Sequence, residues 1–177
     1  MAGDPLTSLR GLQEQGLRWA RGLPAQVEQK TVWSGVGFRL RGANLVSGLD
    51  QVREILTYPP LSRVPGVRPW VKGIANVRGN LLSVLDLNGF LGHGDTFVDD
   101  QARVLVVEFG EVFAGLLVDE VLGLRHFFEN EDDADIPADL DEGLRRFVEG
   151  AYRRDGQSWA VLKLERLVQS AEFLQVA

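Results

Sequence analysis

Cysteine is absent from all 177 residues, which excludes a disulfide framework and any thiolate metal site and fits a reducing compartment. Histidine occurs only at 93 and 126, with no second histidine at the helical spacing of a zinc site. His93, Asp95, Asp99 and Asp100 crowd one connection, but His-x-Asp is a poor ligand set and no calcium-loop pattern accompanies it, so no metal and no other cofactor is expected. The chain also lacks a glycine-rich phosphate loop, a nucleophile elbow and a Cys-His pairing, and it does not read as an enzyme.

Long apolar runs are missing too. Val104 to Val107 and Ala114 to Val118 fall far short of the roughly 20 residues of a membrane span, and no basic-then-apolar signal segment opens the chain. The sequence reads as cytoplasmic, without direct membrane insertion. An excess of positive charge is missing as well: the formal net charge is −6, with Glu129, Glu131, Asp132, Asp133, Asp135, Asp139, Asp141 and Glu142 in one stretch free of bases. The rest of the chain is close to neutral, so no basic stripe for nucleic acid or membrane is visible. The acidic run itself reads as a solvated loop.

What is present suffices for one well-packed unit, since 45% of the residues are hydrophobic. Leu6, Leu9, Gly16, Ala20 and Leu23 fall near one helical face, which predicts an N-terminal helix from Asp4 to about Val27. Gly11 and Gly16 weaken it by about 1 kcal/mol each, so it needs a surface to lie against. The boundary is set at residues 1–30 for this extension and 31–177 for the remainder. From Val32 onward the pattern changes to short apolar strands separated by turn residues: GVGFRL, REILTY, VKGIANV, LLSVLDL, RVLVVEFG and FAGLLVD. Such spacing favours small all-β barrels. Trp33, Trp70 and Trp159 lie in or beside these strands and are expected in the core.

A repeat underlies the strands. VKGIANVRGNLLSVLDL (71–87) aligns without a gap on VEGAYRRDGQSWAVLKL (148–164), matching Val71, Gly73, Gly79, Val84, Leu85 and Leu87 with Val148, Gly150, Gly156, Val161, Leu162 and Leu164. Upstream, Asp50-Gln51-Val52 matches Asp119-Glu120-Val121, and Val64-Pro65 matches Ile136-Pro137. Two homologous lobes follow. Gly79-Asn80 suits a type II′ hairpin turn with the glycine first. Arg78 is matched by Asp155, so the architecture keeps the glycine but does not require the cation.

KGIANVRGNLLSVLDL, following EIL and VPGVRPWV, resembles the hallmark of the CheW family of chemosensory adaptors, a strand ending in Gly-x-x-Asn-Leu-Arg-Gly that continues into one ending in Asp-Leu. FAGLLVDEV and VEGAYRRDGQSWAVLKLERLV resemble the family's second half, and the likeness runs from about Val32 to Ser170. The extension ending in GLPAQ is more similar to the PilI branch, the adaptors of pilus-type systems, than to the flagellar one. Val77 stands where leucine is usual, and Leu45-Val46-Ser47 where many members have Tyr-Gly-Ile.

The resemblance implies two SH3-like five-stranded barrels, an N-terminal helix and short connecting and C-terminal helices, with no active site. It implies a scaffold that couples the cytoplasmic hairpin of a methyl-accepting chemoreceptor to the regulatory domain of a CheA-type histidine kinase, in a system controlling type IV pilus twitching motility. Carried over by position, the partner-binding residues are Val52, Glu54, Ile55, Asn76, Val77, Arg78 and Gly79. A stand-alone barrel binding nucleic acid or oligosaccharide is the alternative. It calls for a basic groove with exposed aromatics, which the near-neutral body does not supply.

Overall fold

The computed structural model describes residues 32–128 and 132–176. The helix expected over 4–27 therefore lies outside the described residues. Among those described, the chain runs β1 (Val32–Leu40), β2 (Ala43–Gly48), a 3-10 turn (Leu49–Gln51), β3 (Glu54–Thr57), β4 (Val71–Val77), β5 (Asn80–Asp86) and α1 (Leu87–Phe90). The second half continues through β6 (Arg103–Phe109), β7 (Val112–Val118), β8 (Glu120–Phe128), β9 (Asp133–Ala134), α2 (Glu142–Arg145), β10 (Val148–Arg154), β11 (Gln157–Leu162), α3 (Leu164–Val168) and α4 (Ala171–Leu174).

The strands form two sheets, ordered β3-β6-β7-β5-β4 and β8-β1-β2-β11-β10-β9. The two orders correspond element by element if β1 to β5 are equated with β6, β7, β8, β10 and β11. Each half of the chain has thus given its first hairpin to the other half: β6–β7 sits between β3 and β5, and β1–β2 between β8 and β11. The exchange is closed by parallel pairs, Ser83 with Ala114 in one sheet and Ala160 with Leu45 in the other. The lobes are therefore not sequential halves of the chain.

Each sheet curls until its ends meet. Ser62 and Ile74 trade two backbone hydrogen bonds of 2.9 Å, bringing the connection after β3 onto β4. Ala134 on β9 pairs with Ala151 on β10 in the second lobe. These pairs occupy equivalent repeat positions. Both lobes also carry a bulge at the start of the repeated strand, between Val71 and Gly73 and between Val148 and Gly150. Gly73 takes φ +146°, and a Cβ there would lie 2.4 Å from the Ser62 carbonyl oxygen. That closure requires glycine.

Among the described residues, three cores result from the two-residue period of the strands. Val104 and Val106 face the interior of the first lobe with Leu82, Val84 and Leu117. Their neighbours Leu105 and Val107 face the opposite way, into a core shared with Phe38, Leu45, Leu116, Phe147 and Leu162. Burial on both faces explains why this strand reads as an unbroken apolar run. The second lobe is filled by Val46, Phe127, Trp159 and Val161, with Trp33 packed against them. Trp70 packs instead on the shared core, edge-on to Phe90.

The hairpin turns correct one expectation. Arg78 and Gly79 are the central residues, both at positive φ (51° and 84°), which makes the turn type I′ rather than type II′ on Gly79-Asn80. Arg41-Gly42 and Asp155-Gly156 take the same form. Type I′ matches the right-handed twist of the flanking strands, and its first position favours Asn, Asp or Gly.

Candidate partner-binding groove

At one end of the first lobe, the start of β3, the β4–β5 turn and the starts of β5 and β7 converge. Arg53 N donates to the Val106 carbonyl at 2.8 Å, which registers β3 on β6 and places Glu54 at the rim. Arg78 reaches across the mouth: its Nη1 donates to Glu54 Oε2 at 3.0 Å and its Nη2 to Oε1. Arg53 pairs with Glu108 on the facing wall, and its guanidinium lies 6.0 Å from the Phe113 ring centre. Between the two ion pairs is an open groove of about 310 Å³, with Val77, Leu81 and Phe113 among its lining. Leu81 is 69% exposed.

Arg78 is 75% exposed on its side chain, and its backbone is left-handed at a position where arginine costs about 1 kcal/mol. An exposed ion pair returns at most about 1 kcal/mol, so at best it offsets that cost. The arrangement is poor for stability and suited to recognition: apolar side chains lie between paired charges that a partner could re-pair.

Of the residues singled out in the sequence, Glu54, Val77 and Arg78 line the groove. Asn76 and Gly79 hold the turn, with Asn76 Oδ1 accepting from Gly79 N at 2.9 Å. Val52 packs against the shared core. Ile55 lies on the opposite face of β3 from Glu54 and is exposed. Val52 and Ile55 therefore do not join the groove. Arg53, Leu81, Glu108 and Phe113 do, although sequence reasoning did not select them. Leu81 left a trace, because the adjacent pair Leu81-Leu82 cannot turn both side chains inward. Phe113 left none, since its strand comes from the other half of the chain.

The polar cluster near His93 is dispersed. His93 Nε2 is hydrogen-bonded to the Asp141 carboxylate, Lys72 binds Asp95, and Asp99 Oδ1 accepts from Gln101 N and Ala102 N at 2.9 and 3.1 Å. Burial pushes the Asp141 pKa up, but the hydrogen bonds from His93 and Leu144 N outweigh it and hold the carboxyl below its ordinary value. Among the described residues no three His, Asp or Glu side chains gather as a metal site.

The acidic stretch is not uniformly solvated. Asp132 Oδ2 accepts from Arg154 Nη1 and from Phe128 N, both at 2.8 Å, with only 14% of its side chain exposed. Asp141 caps α2. Both are structural.

Residues 34–172 match the CheW-like domain family. The chain is 44% identical over 173 residues to Protein PilI of Pseudomonas aeruginosa, covering 98% of this chain and 96% of that one. It is 31% identical over 145 residues to Protein FrzA of Myxococcus xanthus, covering 79% and 88%. The crystal structure of scaffolding protein TtCheW from Thermoanaerobacter tengcongensis superposes with a TM-score of 0.67 at 25% identity, covering 80% of this chain and 96% of that one. Two sheets in this exchanged order, the repeated glycine hairpins and the family match over most of the chain lead to one conclusion: the chain belongs to the CheW-like family.

Proposed function

We propose that this chain is a non-enzymatic adaptor that holds the cytoplasmic hairpin of a chemoreceptor and the regulatory domain of a CheA-type kinase in one geometry, within a pilus-type chemosensory system. It works on the cytoplasmic side of the membrane, reaching the receptor array through these partners. One observation carries the reading: an arginine kept at a strained, exposed turn position, forked onto Glu54 beside an open, largely polar groove that also holds Val77, Leu81 and Phe113. The groove formed by Glu54, Val77 and Arg78 engages one partner. Ile55, exposed on the other face of β3, belongs to a separate contact. Such an adaptor passes a signal only through contact energies that differ between receptor states.

The test is co-precipitation of the full chain with a receptor cytoplasmic fragment and a CheA-type kinase. A ternary complex that carries receptor-dependent changes in kinase autophosphorylation supports the reading. Binding to neither protein overturns it.

A further inference from the structure

The connection from β3 to β4 holds Pro59, Pro60, Pro65 and Pro69, four of the 7 prolines in the chain, so much of its backbone is fixed before any partner arrives. Hydrogen bonds tie it down at two points. Ser62 is bridged to Ile74 on β4, and Arg68 N donates to the Val176 carbonyl at 2.9 Å. Between these anchors Pro65 and Gly66, the glycine at φ +77°, turn the chain from Val64 to Val67. The turn sets Arg63 and Arg68 on its two legs.

Both arginines line an open, largely polar groove of about 850 Å³, together with Lys72 and with Tyr58, Val64 and Val67. The carboxylate in its lining is that of Asp95, and Lys72 takes it. Arg63 and Arg68 are exposed, and neither has a carboxylate partner among the described residues. The Arg68 guanidinium lies 5.8 Å from the Trp70 ring centre. In a chain of net charge −6, two guanidiniums thus share one groove with no anion to neutralise them. Guanidinium forks match carboxylate and phosphate alike. Tyr58, Val64 and Val67 between them favour a ligand that brings apolar side chains along with its acids, and two unpaired cations are too few to follow a nucleic-acid backbone. An acidic peptide supplies both.

We propose that this groove docks an acidic peptide segment of a partner protein, with its carboxylates forked by Arg63 and Arg68 and its apolar side chains set against Tyr58, Val64 and Val67. The groove shares no lining residue with the one at Arg78, and the two adjoin opposite ends of β4. The proposal therefore does not depend on the role of Arg78. Charge complementarity makes the contact salt-sensitive.

Fluorescence anisotropy of a labelled peptide alternating glutamate and leucine, titrated with the full chain, tests it. The expected result is saturable binding that weakens as salt rises, and no binding of the peptide with lysine in place of glutamate. Arg63→Ala should raise the dissociation constant about tenfold, with an unchanged melting curve because its guanidinium has no carboxylate to lose. Adding Arg68→Ala should abolish binding. Arg166→Ala, which removes an exposed arginine outside the groove, should bind as the parent does. Absence of saturable binding overturns the proposal. So does an equal loss in Arg63→Ala and Arg166→Ala, the mark of diffuse attraction. Displacement of the labelled peptide by inorganic phosphate as readily as by unlabelled peptide assigns the groove to a small anion and overturns the proposal. Binding of phosphatidylserine vesicles through Arg63 and Arg68, with none of the peptide, assigns it to a membrane and overturns the proposal too.

Discussion

Glu54 receives both terminal nitrogens of Arg78, joining the start of β3 to a hairpin turn 24 residues later and closing the mouth of the first lobe with charge. Asn at position 78 suits a type I′ turn, so Arg78→Asn gains backbone fit while losing an exposed ion pair, two terms of about 1 kcal/mol that oppose each other. The melting midpoint should hardly move. Assembly with receptor fragment and kinase should weaken by about 2 kcal/mol or more, and Arg78→Glu should weaken it further. Thermal melts paired with ternary-complex affinities check this, and unfolding by Arg78→Asn contradicts it.

Gly73→Ala should behave in the opposite way. Its Cβ meets the Ser62 carbonyl, so barrel closure loses a bridge and stability falls by about 2–4 kcal/mol. Urea unfolding measures the loss, and a parental midpoint would show that the bulge relaxes.

Within the acidic stretch the carboxylates should separate by role. Asp132→Ala removes the acceptor of both Phe128 N and Arg154 and should cost about 1–3 kcal/mol. Asp133→Asn and Asp135→Asn should each change stability by no more than about 0.5 kcal/mol. Equal effects at all three positions, read by denaturant unfolding, refute the distinction.

The pH dependence follows from Asp141. Its folded pKa lies below the unfolded value, so the stability it contributes is complete above the unfolded value and is lost as pH falls through the folded one. The window lies at and below about pH 4, the ordinary carboxylate range. Asp141→Asn should therefore be less stable than the parent at neutral pH and lose less on acidification. Unfolding midpoints on either side of the window decide it.

Removing residues 1–30 should leave cooperative unfolding intact, because among the described residues the strands of both sheets, and the repeat that builds them, lie at Val32 and beyond. A truncated chain without a sharp thermal transition places the boundary elsewhere.

Much of this protein was legible from local chemistry. Alternation and turn residues locate β4, β5, β6 and β7 to within a residue, and the aligned glycines mark β10 and β11. The strand Glu120–Phe128 went unmarked because its burial follows no strict alternation, and the turn type was misassigned because arginine is an unusual residue at positive φ. The site was half legible. Arg78 stood out because its repeat partner is Asp155, and Glu54 through the family motif, while Phe113 and Glu108 carried no signal of their own.

The sequence by itself determined the hairpins, the repeat and the family, since side-chain period, turn glycines and motif order are short-range properties of the chain. Only the tertiary structure decided that each half surrenders its first hairpin to the other. That choice rests on the parallel pairs of Ser83 with Ala114 and Ala160 with Leu45, whose partners share no local pattern and are selected by which apolar face can be buried on both sides. It also decided that Glu54 and Ile55, neighbours in the chain, face opposite ways, because successive side chains of a strand point to opposite faces and β3 has one face toward the lobe interior.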